Sequence, residues 1–224
     1  MNSNKLLRLL CAVVGSLHLH WAIAGEISLY DESRFVTFSD GGRLYGYYSA
    51  HNELFYCRFL FYTKKSVRVL GGGFPIETFD LDYRDQRYKY ARIDPASSIR
   101  GFLSKKSKTI TINTERPRAG CQSAAGFFPS DGGLPYTEVG RIYGVGIGVL
   151  NNRSSIYRNF DLIDRIGYLF PGDVVVVIKR KGEYSYIRYV NPDMLIEDDD
   201  KRHIKTGWIR SADLVNPFLS TSKP

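Results

Sequence analysis

Residues 53–62, Glu-Leu-Phe-Tyr-Cys-Arg-Phe-Leu-Phe-Tyr, decide the fold class. Phe55, Cys57, Phe59 and Phe61 fall on one side of an extended chain, and Leu54, Tyr56, Leu60 and Tyr62 on the other. That period of two is a strand's. Because both sides are apolar or aromatic, the strand belongs in the middle of a sheet, covered on both faces.

The same pattern continues outward in both directions. Segments 34–38 and 43–48 flank a hairpin-type turn at Asp40-Gly41-Gly42. Further strand-like segments lie at 67–70, 76–83, 88–93, 99–103 and 109–113. No run of about 11 residues keeps a helical period. Residues 123–134 are rich in Gly, Ser and Ala and read as a linker. Beyond it lie a Gly-punctuated strand at 141–149, a valine-rich one at 173–179, and others at 184–190 and 204–210. Residues 211–214 read as one short turn of helix. The expected architecture is all-β: an antiparallel β domain over 25–122, then a small barrel of about five strands over 135–224.

Residues 1–24 read as an export leader. Lys5 and Arg8 precede or interrupt an apolar stretch, and Ala22-Ile23-Ala24 supplies the small-x-small cleavage pattern. The stretch is too short and too polar to span a bilayer. The 224-residue chain carries a formal charge of +8, which becomes +6 without the leader, with the signs mixed along both halves. Nucleic-acid surfaces cluster their Lys and Arg, so no nucleic-acid partner is expected. Cys11 lies in the leader; Cys57 and Cys121 remain, an even pair in an oxidising periplasmic or extracellular compartment, and read as one disulfide.

Four elements of the second half carry a resemblance. They are Gly148-Val149-Leu150-Asn151-Asn152-Arg153-Ser154, Ile166-Gly167-Tyr168-Leu169, Pro171-Gly172-Asp173 with Val174 to Val177, and Thr206-Gly207-Trp208-Ile209 with Ala212-Asp213-Leu214. Their order and spacing over residues 138–216 resemble the bacterial SH3-type domain family. The resemblance implies a small β-barrel, often appended to envelope proteins, that in some members binds cell-wall peptide. It also implies that Trp208 is structural, packed over the barrel. The chain departs from the family pattern at Asn152, where Val is usual, and at Tyr184 or Tyr186, where Trp often stands. An acidic loop also lengthens the approach to Gly207. An exported, Cys-paired β domain joined to such a module is loosely similar to envelope inhibitor and immunity proteins of Gram-negative bacteria.

Catalytic constellations are scarce. Beyond the leader only His51 and His203 remain, both in polar turns expected to face solvent. There is no nucleophile elbow, zincin motif or Cys/His zinc spacing, so neither an enzyme nor a cofactor is expected. Asp80 and Asp82 could share a strand face, with Arg84 and Arg87 near enough to pair them. Glu197, Asp198, Asp199 and Asp200 could dock a basic partner surface. Aromatics are in surplus: 16 Tyr, 13 Phe and one Trp lie beyond the leader. Small domains have little interior, so some of Tyr45, Tyr47, Tyr48, Tyr56, Tyr62, Tyr83, Tyr88 and Tyr90 should face water or a partner. Tyr184 and Tyr186 are further candidates for partner binding. The expected function is a non-catalytic inhibitor or immunity-type protein acting on an envelope-directed enzyme or toxin. The alternative is a peptidoglycan-binding module.

Overall fold

The computed structural model describes residues 24–32, 34–52, 54–63, 73–80, 97–124, 128, 133–191 and 203–218. The chain is all-β, as its period-two patterning implies. Strands β1 (Gly25–Tyr30), β2 (Val36–Asp40), β3 (Arg43–His51), β4 (Tyr56–Thr63), β5 (Gly73–Phe79), β6 (Ile99–Lys106), β7 (Thr109–Thr114) and β8 (Pro135–Gly144) form a closed antiparallel barrel. Residues 1–23 of the expected leader, the strand segments at 67–70 and 88–93, and Asp82 lie outside the described residues.

The inside of the barrel is graded along its axis. One half is packed with rings: Phe35, Tyr48, Phe59, Phe61 and Tyr136 form a buried cluster with Ile110 and Ile112. The Tyr136 hydroxyl donates to that of Tyr48 at 2.9 Å. At this end a disulfide joins Cys57 on β4 to Cys121, the first residue of the short helix α1 (Cys121–Ala124). The other half is polar and centres on the buried Glu138. Ser28 Oγ donates to Glu138 Oε2 at 3.1 Å, the Arg141 guanidinium donates to both carboxylate oxygens, and Lys105 Nζ lies 3.6 Å away. The hydrogen bond from Arg141 leads the causes that hold the Glu138 carboxyl below the usual range.

The second unit is a seven-stranded sheet in the order β11-β10-β14-β13-β12-β9-β15. Its strands are β9 (Gly146–Leu150), β10 (Ser154–Tyr157), β11 (Arg165–Leu169), β12 (Val174–Lys181), β13 (Tyr184–Val190), β14 (Ile204–Arg210) and β15 (Leu214–Val215). The helical turn expected near 211–214 is a 3-10 turn, Ser211–Asp213.

The boundary between the two units differs from the expected one. β8, assigned by its position after the glycine-rich stretch to the second unit, pairs with β1 and β7 and closes the first barrel. The strand read as continuous over 141–149 instead breaks at Val145-Gly146. There the Val145 N–H leaves the barrel and donates to Val177 O at 2.7 Å. Gly146 takes φ +146°, a conformation that disfavours any side chain.

The two units share a wall. On β4, Phe59 and Phe61 fill the barrel, while Leu60 and Tyr62 face outward and are equally buried. Ile147, Val149, Val176 and Phe218 cover them. The valine run on β12 is explained the same way. Val176 faces the barrel, whereas Val175 and Val177 join Leu150, Ile156, Ile187 and Ile209 in the second core. A strand covered on both sides reads as an unbroken apolar run.

Candidate functional site: an aromatic and cationic face

Away from the shared wall, the outer face of the second sheet carries a continuous row of paired residues. Arg165 on β11 pairs with Tyr157 on β10, Tyr157 with Trp208 on β14, Trp208 with Tyr186 on β13, and Tyr186 with Lys179 on β12. Residues directly opposite in a ladder share a face. The row is therefore three rings with a cation at each end. A second row runs alongside it: Arg210, Tyr184 and Lys181.

Close approach of β14 to β10 makes the row compact. A side chain at Gly207 would meet Ile156 Cγ2 at 2.5 Å and Tyr157 O at 2.6 Å, so only glycine fits there. The rings interlock: Tyr186 and Trp208 have centroids 5.2 Å apart. Lys179 Nζ stands 5.2 Å from the Tyr186 centroid and 5.4 Å from that of Trp208, within cation–π range.

Phe160 caps the row from the β10–β11 loop. It packs edge-on against Trp208 and Tyr184, with centroids 5.0 and 5.7 Å away, and Lys181 Nζ lies 4.1 Å from its own. Arg158 Nε donates to Asp164 Oδ2 at 2.6 Å across the base of the loop, and Arg158 N–H to Asp164 O at 2.8 Å. Within it Leu162 takes φ +61°, a costly conformation for a bulky side chain that these local bonds help to hold. The hairpin continues the apolar surface with Ile163, Tyr168 and Phe170, all exposed, and Arg153 stacks over Tyr168 at 4.2 Å. β11 is also an end strand of the sheet, so one of its edges has no neighbour in the sheet order.

Two expected binding residues, Tyr184 and Tyr186, are brought together here. Trp208 joins them. It is buried, yet it lies on the outer face beneath Phe160, whereas the next residue, Ile209, points into the second core. The acidic segment from Glu197 to Asp200 lies outside the described residues. Neither histidine is fully exposed: His203 is buried, and His51 is half-buried and stacked on Tyr56 at 5.4 Å.

The face was only partly legible. Tyr184 and Tyr186 share a side by simple alternation, and Lys179 and Lys181 do too, across the Gly182 turn. A bulge between Val177 and Lys179 shifts the pairing, so their meeting with the tyrosines could not be read locally. Phe160 gives no signal at all in sequence.

Neither row contains His, Cys, Asp or Glu, the side chains most used for proton transfer and metal binding. Among the described residues no group of three or more such side chains could hold a metal ion. No described helix is long and apolar enough to cross a membrane. The arrangement offers flat rings and cationic ends, which is equipment for binding. Compared with protein-family models, curated proteins and solved structures, the chain has no match.

Proposed function

We propose that this chain is an exported, non-catalytic binding protein that neutralises an envelope-directed enzyme or toxin, docking it through the aromatic and cationic face. The observation that carries this reading is the row Arg165–Tyr157–Trp208–Tyr186–Lys179. Aromatic rings and arginines are the residues that dominate protein interfaces. Four inter-strand gaps give the row a width of about 19 Å, a span suited to a protein surface. The Cys57–Cys121 disulfide and the leader-like residues 1–24 favour an oxidising compartment outside the cytoplasm.

A second reading is that the face binds cell-wall peptide, supported by the SH3-type motif and by the rings. The two readings separate in one pair of assays. Purified muramidases, amidases and phospholipases are mixed with the protein in excess, and complex formation and residual activity are followed. Co-sedimentation with purified sacculi is run in parallel. Inhibition of one enzyme with a stoichiometric complex, lost in Trp208→Ala and Lys179→Glu, supports the inhibitor. Pelleting with sacculi alone supports the wall-binding module. Full activity of every enzyme and no pelleting would overturn both.

A further inference from the structure

The ring-packed end of the eight-stranded barrel is covered by the segment that follows β7. Phe128 stands edge-on to Tyr48 and Phe59, with centroids 5.1 and 5.4 Å away, and Thr114 N–H donates to Phe128 O at 2.8 Å. Asn52 Nδ2 donates to Ser123 O at 2.7 Å, and the Cys57–Cys121 disulfide pins the same segment to β4. A barrel of eight strands is just wide enough to be filled by side chains or to hold one small ligand. The rings fill one half. The other half leaves a cavity of about 380 Å³ that reaches the surface at Ser39, Gly42 and Arg43, all exposed.

The lining of this mouth mixes three kinds of group. Ser28, Thr37, Ser39 and Thr63 contribute hydroxyls from β1, β2 and β4. Ser28 Oγ donates to Glu138 and keeps lone pairs to offer, whereas Thr63 Oγ1 accepts from Leu44 N–H at 3.0 Å and keeps its O–H. Among the charged side chains of the lining, the Glu26 carboxylate can only accept, while Lys105 and Arg43 can only donate. Leu44, Phe74 and Leu103 form an apolar floor where the cavity meets the ring cluster.

We propose that the barrel mouth binds a neutral polyhydroxylated ligand of monosaccharide size. Acidic and basic side chains stand in the same wall, so an ionic ligand of either sign would meet a like charge as well as an opposite one. A hydroxyl both donates and accepts, and a molecule carrying several satisfies Glu26, Lys105 and the serine and threonine hydroxyls alike. The C–H face of a sugar ring is apolar and suits the floor of Leu44, Phe74 and Leu103. An acyl chain would instead bury the polar wall without partners, at a cost for each group. The mouth of a barrel is a common place for such a site, and the volume falls within the range of small-molecule pockets.

The test is calorimetric titration of the full chain with glucose, galactose, mannose and N-acetylglucosamine, with the thermal midpoint as a second readout. Acetate, palmitate and the dipeptide alanylalanine serve as controls. Saturable binding of at least one sugar is expected, with a concentration-dependent rise in midpoint. Ser39→Val and Glu26→Gln, at exposed and half-buried positions, should each weaken that binding by roughly three- to tenfold, the worth of one hydrogen bond. No saturable signal with any of the four sugars would overturn the proposal, as would equal binding of a control or folded variants that bind like the parent. The mouth residues belong to neither aromatic row. Failure here therefore leaves the docking face untouched.

Discussion

The Phe160 ring stands edge-on to Trp208, centroids 5.0 Å apart and planes at 72°, and leaves the indole only 8% exposed. A loop residue therefore shields the one tryptophan after residue 24. In a protein starting at residue 25, Phe160→Ala should shift the tryptophan emission to the red and raise its quenching by acrylamide. Since Phe160 is itself 38% exposed, its loss should cost only about 1 kcal/mol of stability. Unchanged emission would show that the ring does not cover Trp208.

Trp208→Ala should cost more, about 3 kcal/mol in urea unfolding, because a buried indole is replaced by a void between Phe160, Tyr186 and Lys179. Far-ultraviolet circular dichroism should stay strand-like, since Ile209 and the second core lie on the other side of β14. A variant with the parent's unfolding midpoint would contradict this packing.

The disulfide between Cys57 and Cys121 closes a loop with a sequence separation of 64. In the chain-entropy account a loop of that length stabilises by about 4 kcal/mol. Reduction should lower the thermal midpoint by many degrees. Mass measurement after alkylation should find no free thiol in unreduced protein starting at residue 25, which lacks Cys11. Two alkylated cysteines without reductant would sink the assignment.

Glu138 sets an acid limb. Its folded pKa lies below the ordinary 4.5, so the unfolded chain takes up protons before the native barrel does. The stabilisation is fully present above that value and fades as pH falls through the folded pKa. Glu138→Gln should therefore lower the thermal midpoint most at neutral pH, with parent and variant converging in strong acid. A difference that stays constant across this range would show that the ion pairs with Arg141 and Lys105 contribute nothing.

Local alternation carried most of the strand faces. It placed Phe59 and Phe61 opposite Leu60 and Tyr62, and it anticipated that both sides of β4 would be covered. What covers each side is a long-range matter that no local pattern contains. For the same reason β8 was assigned to the wrong side of the boundary: its pairing with β1 spans more than a hundred residues, and barrel closure is a global condition. Trp208 was legible in principle, because it alternates with the core residue Ile209 along β14. His203 sits among charged neighbours in sequence, yet it is buried where the chain enters β14.

The wall common to the two units bears on how the molecule comes apart. Leu60 and Val149 are both 0% exposed, each only because the other unit lies against it. Neither unit therefore keeps a finished exterior on its own, and cutting the chain between β8 and β9 would bare an oily stripe on both pieces. Heating should produce a single transition in which calorimetric and van't Hoff enthalpies agree, although the fold has two cores. A sequence change on the β12 valines would then be felt as a shift of that one transition, whichever core the side chain enters.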